Sequence, residues 1–333
     1  MKYASDLRRI SYKALFEQDD YKILKLLKYI MNTKTIIGYM AVFCSAFFFY
    51  LATVIIKWSK IAGLTIDPAM FALARFAMGF VTVVIVMVIC KKKIRVKKKH
   101  LLIGRALGNT IAVYCFFKGV DLTSVAQSNI LNMTYPLFIA VFSWIFLKEQ
   151  RDFIAIIIVI IAFVGILMIL APGKMSYDIN SMWGLASGIS AAVAIMYLNL
   201  SRQVHDTNTT LLFMFGIGGG VLFCLFFDKI VIPDPAGLKY LFWCSVLAIA
   251  GQYLITLGFK YVTAVEGSII SSTRILLAAL LGPVLAMEPA LSFAGWIGAI
   301  LIFTGNVCLT IRKAKKTMIK TEVINGRDYN HVG

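Results

Sequence analysis

The stretch "SVAQSNILNMTYPLFIAVFSWIFLKEQ", residues 124–150, changes character halfway along its length. Its first half carries amides and hydroxyls, whereas its second half is almost wholly apolar, and Pro136 stands near the boundary. An apolar run of ~20 residues is long enough to cross ~30 Å of hydrocarbon as a helix. Unpaired polar groups are costly in that environment. The stretch therefore predicts a membrane helix whose polar side chains have a functional role, rather than the polar N-terminal cap of a soluble helix.

The composition of the whole chain indicates a membrane protein. Its 333 residues are 60% apolar and 15% charged, outside the range of soluble domains. We predict an all-α integral membrane protein with ten transmembrane helices, between a basic tail at 1–35 and a basic tail at 312–333. The predicted segments are 36–57, 67–90, 101–118, 123–147, 153–171, 181–201, 208–228, 238–259, 263–287 and 290–311.

The net charge of +18 is unevenly distributed between the two predicted sides of the membrane. With the N-terminus in the cytoplasm, 25 Lys and Arg residues fall on the cytoplasmic side, 6 on the other side and 3 inside segments. The positive-inside rule then predicts a protein of the cell (inner) membrane with both termini cytoplasmic. The run "KKKIRVKKKH", residues 91–100, is interpreted as an orientation signal near anionic lipid, not as a nucleic-acid site. Residues 21–30 are either a basic interfacial helix or a solvated tail.

Catalytic and metal-binding patterns are missing from the sequence. The three histidines, His100, His205 and His331, fall in predicted loops or tails, and the six cysteines form no CxxC pair. We therefore expect no cofactor, no metal and no enzymatic activity, with a membrane-embedded enzyme as the remote alternative. The expected partners are a small-molecule substrate and the lipid bilayer, and the expected state is a monomer or weak homodimer.

The two halves of the chain are similar to each other. A shift of 139 residues pairs Gly119 with Gly258, Thr134 with Thr273 and Glu149 with Glu288, and at another offset Gly38 pairs with Gly184. The repeats are 36–171 and 181–311. Five helices per repeat is an odd number, so the second repeat enters the membrane from the opposite side. Such a 5+5 inverted repeat predicts a site near the midplane, between the halves, that is reached alternately from each side.

The segment "GVDLTSVAQSNILNMTYPLFIAVFSWIFLKEQRDFIAIIIVIIAFVGILMIL", residues 119–170, resembles the EamA-type repeat of the drug/metabolite transporter superfamily. "DPAMFALARFAMGF", residues 67–80, is similar to the second helix of that family. The resemblance implies alternating access and a cavity lined mainly by segments 1, 3, 4, 6, 8 and 9. The second repeat departs from the pattern, because Ile275 stands where the first has Pro136, and a proline follows only at Pro283.

The clear cases of charged residues inside predicted segments are Arg75, Arg105, Glu266 and Arg274. A charge in the membrane is energetically costly, so each of them is a candidate functional residue. Arg274 falls near the midplane, and we assign it to binding or gating, with a structural partnership as the alternative. For Arg75 we favour a structural role over gating. Arg105 and Glu266 lie near the cytoplasmic face. Glu266 is a candidate for an ion pair, cation binding or proton coupling.

The fourth segment, projected as a helix, places Tyr135, Ser128, Asn132 and Asn129 on one polar face. The repeat places Arg274 and Ser271 on the matching face of the ninth segment, and together these faces predict a cavity wall. Gln127 and Thr134 lie elsewhere and are expected only to pack. The predicted substrate-binding set is Arg274, Asn132, Tyr135, Ser128, Asn129, Ser271, Tyr114, Tyr253, Asn109 and Arg105, with Glu266, Arg75 and Pro136 assigned to gating or coupling.

These observations predict a secondary active transporter for a small polar metabolite. A midplane arginine suits a carboxylate or phosphate, and nearby tyrosines suit a flat ring. The substrate is thus predicted to be amino-acid-like or nucleoside-like. The third segment, "GRALGNTIAVYCFFKGV", residues 104–120, resembles that of S-adenosylmethionine uptake members, which makes S-adenosylmethionine a specific candidate. An exporter of amino acids or drugs with the same fold is the alternative.

Overall fold

The computed structural model describes residues 33–146, 153–170, 179–201, 204–231, 233–262 and 264–329. The predicted interfacial helix at 21–30 lies outside these residues. The helices are α1 Thr33–Ile61, α2 Pro68–Ile89, α3 Lys99–Leu122, α4 Val125–Asn132, α5 Tyr135–Phe146, α6 Phe153–Leu170, α7 Met182–Ser201, α8 Thr207–Leu225, α9 Pro235–Tyr261, α10 Ala264–Leu285 and α11 Phe293–Tyr329.

The helices reproduce the ten predicted segments. Seven of them (α1, α2, α3, α7, α8, α9 and α11) are long and apolar enough to cross a membrane. Shorter apolar helices lie within α6 and α10, and α4 with α5 forms the remaining segment. Large apolar side chains are exposed on the outer surface, including Val88 at 71% and Phe293 at 83%. Such a surface is unsuited to water and fits a lipid environment. The prediction of an all-α membrane protein is confirmed.

Short polar turns fix where several helices begin. The Asp67 carboxylate accepts a hydrogen bond from the Ala69 amide at 2.8 Å, ahead of Pro68 as the first residue of α2. Asp206 and Asp234 cap α8 and α9 in the same way, at 3.2 and 2.9 Å. A side-chain acceptor at this position satisfies one of the unpaired amides of the first turn. The boundaries of these spans are therefore set locally.

The fourth segment is broken rather than merely kinked. Helix α4 ends at Asn132, residues 133–134 form a turn, and α5 begins at Tyr135 with Pro136 as its second residue. Proline has no amide to donate back to the preceding turn, so the helical ladder fails just before it. The matching helix of the second half, α10, continues through Ile275 and contains Pro283 only near its end. The first half therefore has a helix break at the position of Pro136, and the second half, with Ile275 there, has a continuous helix.

The packing of the helices follows the inverted repeat. Helix α1 packs along α9 and α3 packs along α7, and the repeat interchanges these two pairs. A Cβ added to Gly258 would lie 3.1 Å from the Gly38 carbonyl oxygen, and one added to Gly119 would lie 3.1 Å from the Gly184 amide nitrogen. Both crossings thus need glycine for close helix contact. The four glycines matched in the sequence meet as two equivalent pairs, which supports the 5+5 arrangement.

The lysine-rich loop between α2 and α3 marks one end of the bundle, which we call the basic side. The His205 ring accepts hydrogen bonds from the Lys97 and Lys98 amides at 3.1 and 3.2 Å. These bonds join the loop to the turn between α7 and α8, so that turn also lies on the basic side. The turns 62–67, 123–124 and 286–292, together with residues 226–231 and 233–234, lie at the opposite side.

Candidate substrate-binding cavity

A cavity lies between the two halves of the bundle. It is lined by α1, α2, α3, the break between α4 and α5, and α7 to α10. Helices α2 and α8 contribute in addition to the segments that the family resemblance implies. The lining reaches Leu198 and Thr207, near the ends of α7 and α8 on the basic side. Its polar members are Ser45, Arg75, Arg105, Asn109, Asn132, Tyr135, Thr207, Thr210, Gln252, Thr256, Ser271 and Arg274.

Three arginines from three helices converge on this cavity. Arg75 of α2, Arg105 of α3 and Arg274 of α10 are only 5%, 4% and 6% exposed. Their guanidinium groups carry the same charge and therefore repel one another. No carboxylate lines the cavity, and none of the three arginines forms an ion pair within the described part of the chain. Among the described residues, therefore, nothing compensates the positive charge of the cavity.

Aromatic rings contact two of the arginines. The Arg75 guanidinium carbon lies 5.4 Å from the centre of the Phe49 ring, and that of Arg274 lies 5.9 Å from the same centre. Phe117 and Phe116 contact Arg75 and Arg274 from 6.0 and 5.3 Å. Such contacts contribute about 0.5–2 kcal/mol each. Burial of an ion costs several kcal/mol, so the rings offset only part of that cost.

Arg274 is fixed by a hydrogen-bond chain that crosses between the halves. Its guanidinium donates to the Asn132 side-chain oxygen, at the end of α4. The Asn132 amide donates to the Ser187 hydroxyl of α7 at 2.8 Å, and Ser187 donates to the Gly184 carbonyl at 2.7 Å. The break after Asn132 thus places its side chain where both halves meet. Arg274 is held in position while its remaining donors stay available.

Several polar atoms of the lining have no partner within the described protein. They are Nε of each of the three arginines, Nδ2 of Asn109 and the hydroxyl oxygen of Ser45. Buried polar groups are normally hydrogen-bonded. A cluster of unpaired donors around a positively charged cavity is the arrangement that binds carboxylate or phosphate oxygens.

Six of the predicted binding residues line the cavity: Arg274, Asn132, Tyr135, Ser271, Asn109 and Arg105. Arg75, for which a structural role was favoured, also lines the cavity. Pro136 lies in the first turn of α5, beside the break. The side chain of Glu266 lies outside the described residues.

Two predicted residues of α4 lie away from the cavity. The Ser128 hydroxyl lies 3.0 Å from that of Thr123, and Asn129 donates to the Thr53 hydroxyl at 3.0 Å and to the Val125 carbonyl at 2.8 Å. Both side chains are buried in contacts with neighbouring helices near the opposite side, whereas the cavity begins at Asn132. A helical projection gives the direction of a side chain but not its depth along the helix. It therefore grouped Ser128 and Asn129 with Asn132.

Tyr114 and Tyr253 are likewise absent from the lining. Tyr114 stacks on Phe226 with ring centres 4.5 Å apart and meets Trp183 edge-on at 6.0 Å. Tyr253 packs against the apolar core around α1 and α9. Gln127 donates to the Ile169 carbonyl at 2.8 Å and Ser181 at 2.6 Å, contacts of the packing kind expected for it.

Phe49, Gln252 and Glu288 were not among the predicted site residues. Gln252 lines the cavity and is the only amide in the segment 238–259, a signal that was available in the sequence. Phe49 is one of three consecutive phenylalanines, 47–49, and no pattern distinguishes it from its neighbours. Glu288 was matched with Glu149 in the comparison of the two repeats, but no role was predicted for it.

Glu288 closes the opposite side of the bundle. Its carboxylate, 3% exposed, lies 3.0 Å from the Lys57 ammonium of α1. It also accepts hydrogen bonds from the Val125 amide at 2.9 Å and the Ala126 amide at 3.4 Å, in the first turn of α4. Trp58 donates to the Leu285 carbonyl at 2.7 Å beside it. These contacts join α1, α4 and the turn after α10 beyond the end of the cavity.

Comparison with known proteins agrees with this architecture. The chain is 24% identical over 219 residues to the pseudopaline exporter CntI of Pseudomonas aeruginosa PAO1, covering 65% of this chain and 75% of that protein. It is 25% identical over 226 residues to an uncharacterized transporter of Helicobacter pylori J99, with the same coverage. A crystal structure that covers 84% of this chain and 96% of its own has a TM-score of 0.56 at 18% identity, and so shares the fold.

The match to a family model extends over both halves. The EamA-like transporter family model matches residues 36–171 and again residues 179–311. These two ranges agree with the repeats read from the sequence and leave only the tails and a short connection unmatched. The chain therefore belongs to the EamA-like transporter family, with two EamA repeats in one multi-pass membrane protein.

Proposed function

We propose that the protein is a secondary transporter that carries a small organic anion across the cell membrane by alternating access. The observation that carries this proposal is the convergence of Arg75, Arg105 and Arg274 on a cavity with no carboxylate among its described lining residues. Arginine binds carboxylate and phosphate groups through paired donors. An amino acid recognised by its carboxylate, or a phosphorylated nucleoside, fits this chemistry.

S-adenosylmethionine fits the cavity less well. It carries a sulfonium and an ammonium group against one carboxylate, and three buried guanidinium groups repel a net cation. The resemblance of the third segment to uptake members rests on residues 104–120, which include Arg105 itself. We give more weight to the charge of the cavity than to this short resemblance. Repulsion between like charges in a buried site directly lowers the affinity for a cation.

The cavity extends to the basic side, which the charge distribution of the sequence assigns to the cytoplasm. With this assignment, the cavity is open toward the cytoplasm, and the bundle is closed on the other side around Glu288. Export is a second candidate direction, since one relative is named as an exporter. In alternating access, the direction of net transport follows the gradients across the membrane, so the same cavity serves import and export.

Reconstitution into liposomes tests the proposal. Radiolabelled glutamate, malate and phosphate are supplied outside, with each unlabelled anion inside. Saturable uptake of at least one of them, inhibited by the unlabelled anion but not by its uncharged amide where one exists, supports the proposal. Saturable uptake of S-adenosylmethionine in place of every anion would contradict it. Chemical conversion of a substrate without transport would favour the membrane-enzyme alternative.

A further inference from the structure

We propose that this transporter works as an anion exchanger, in which each passage of one anion is coupled to the return of another. The inference rests on the proposed function, since it takes the cavity to be the transport site. It concerns a different property, the behaviour of the carrier when the site is empty. The observation that carries it is the unbalanced charge of the cavity.

Three positive side chains face the same space, and no described carboxylate pairs with them. Arg75, Arg105 and Arg274 are each at most 6% exposed. Arg75 and Arg274 contact phenylalanine rings, and Arg274 also donates to the neutral amide of Asn132. Among the described residues, the ion pairs lie at the opposite side and involve Lys57, Lys60 and Lys118 rather than these arginines. The protein groups described around the cavity therefore leave its charge to be balanced by whatever occupies it.

Alternating access requires an intermediate that is closed to both sides. While the cavity is open to the basic side, water and dissolved anions screen its charge. Closure removes that screening, and an uncompensated buried charge is strongly unfavourable. A bound anion supplies the missing charge, so the loaded carrier closes readily and the empty carrier does not. After releasing its anion, the carrier must bind another before it returns.

Proton coupling would need a group in the cavity that gains and loses a proton. Arginine remains protonated at all physiological pH values. The cavity lining contains no aspartate, glutamate or histidine among the described residues. A proton therefore has no described carrier in the site, and the second anion is the counterpart that the lining supports.

Uptake into differently loaded vesicles tests the inference directly. Proteoliposomes contain unlabelled malate, potassium gluconate or potassium chloride, and valinomycin with equal potassium on both sides removes any membrane potential. Initial uptake of radiolabelled malate is measured, and the series is repeated with glutamate and with phosphate. For a transported anion, we expect uptake at least about tenfold faster into vesicles loaded with it than into both others, as a ~1.4 kcal/mol higher barrier for the empty carrier would give.

The outcomes separate this inference from the proposed function. Equal uptake into all three interiors overturns exchange and leaves anion transport standing. Absence of saturable uptake in every interior overturns both. The variant Arg105→Gln removes one charge from the cavity and should bring the loaded and unloaded rates closer together, whereas Arg95→Gln in the exposed basic loop should leave their ratio unchanged. An unchanged ratio in a transporting Arg105→Gln protein would contradict the charge explanation.

Discussion

At the scale of single residues, Arg274 is the group most firmly placed for ligand binding. It lies at mid-depth in α10, contacts Phe49 and Phe116, and is oriented by Asn132 from the other half. Orientation by a neutral amide leaves its charge available, as an ion pair would not. The residue thus combines a position fixed by Asn132 with a charge that no described carboxylate pairs.

We predict that Arg274→Ala lowers the kcat/KM of uptake by at least about 30-fold, since loss of one partner of a buried charged contact costs ~2–5 kcal/mol. Arg274→Lys keeps the charge but loses the paired donors, so it should retain part of the activity. Uptake kinetics in proteoliposomes measure the effect, and Arg95→Ala is the surface control. Activity of Arg274→Ala equal to that of the wild type would remove this residue from the site.

Two asparagines one turn apart provide a matched comparison. Asn132 lines the cavity, whereas Asn129 bonds Thr53 and the backbone of its own helix. We expect Asn132→Ala to raise the KM of uptake, because Arg274 loses its orienting partner. Asn129→Ala should leave the KM unchanged and cost about 1 kcal/mol of stability, measured by thermal unfolding. The reverse pattern of KM values would show that the cavity is wrongly located.

At the scale of helices, Glu288 and the first turn of α4 form the contact that holds the opposite side together. A negative group at a helix N-terminus is favourable because it meets unpaired amides and the positive end of the helix dipole. Here the same carboxylate also pairs with Lys57. An alternating-access cycle must separate α1 from this turn, so the contact is the one that opening to the opposite side has to break.

We predict that Glu288→Gln favours opening to the opposite side, since a buried ion pair that loses one partner is destabilised by about 3–5 kcal/mol. The test is the labelling rate of a cysteine at Ser128 by an impermeant maleimide supplied to the opposite side, in a background without other cysteines. Labelling should become faster in Glu288→Gln. Asp121→Asn disrupts the more exposed pair with Lys60 and should have little effect, as exposed pairs contribute about 0–1 kcal/mol. Equal labelling rates in both variants would contradict the role of Glu288.

At the scale of the whole molecule, the sequence was sufficient to predict the ten segments, the two repeats and the family. Apolar length and glycine spacing are local signals, and Gly38, Gly119, Gly184 and Gly258 meet as the repeat requires. Which residues line the cavity follows less directly from the sequence. Whether Arg75 faces lipid, a neighbour or the cavity depends on how α2 is rotated against α1 and α3, and that rotation follows from packing between distant segments. The apolar sequence around Arg75 carries no signal of it.

The orientation of the whole molecule in the membrane can also be tested. With the basic side in the cytoplasm, native Cys90, exposed at the end of α2, should react with an impermeant maleimide in inside-out vesicles and not in intact cells. A cysteine introduced at the exposed residue Ala236, next to the start of α9, should show the opposite behaviour in a background without other cysteines. The reverse result would place the basic loop outside and exchange the two sides of the proposed cycle.

The central claim is that three buried arginines make this cavity a site for anions. It is tested most directly by the thermal stability of the purified protein in the presence of malate and of its uncharged diamide, measured alongside Arg75→Gln, Arg105→Gln and Arg274→Gln. Ligands that bind only the native state raise its melting temperature. The account predicts stabilisation of the wild type by malate but not by the diamide, and a weaker response to malate in each variant. Equal stabilisation by the two compounds, or variants that respond to malate as the wild type does, would contradict it.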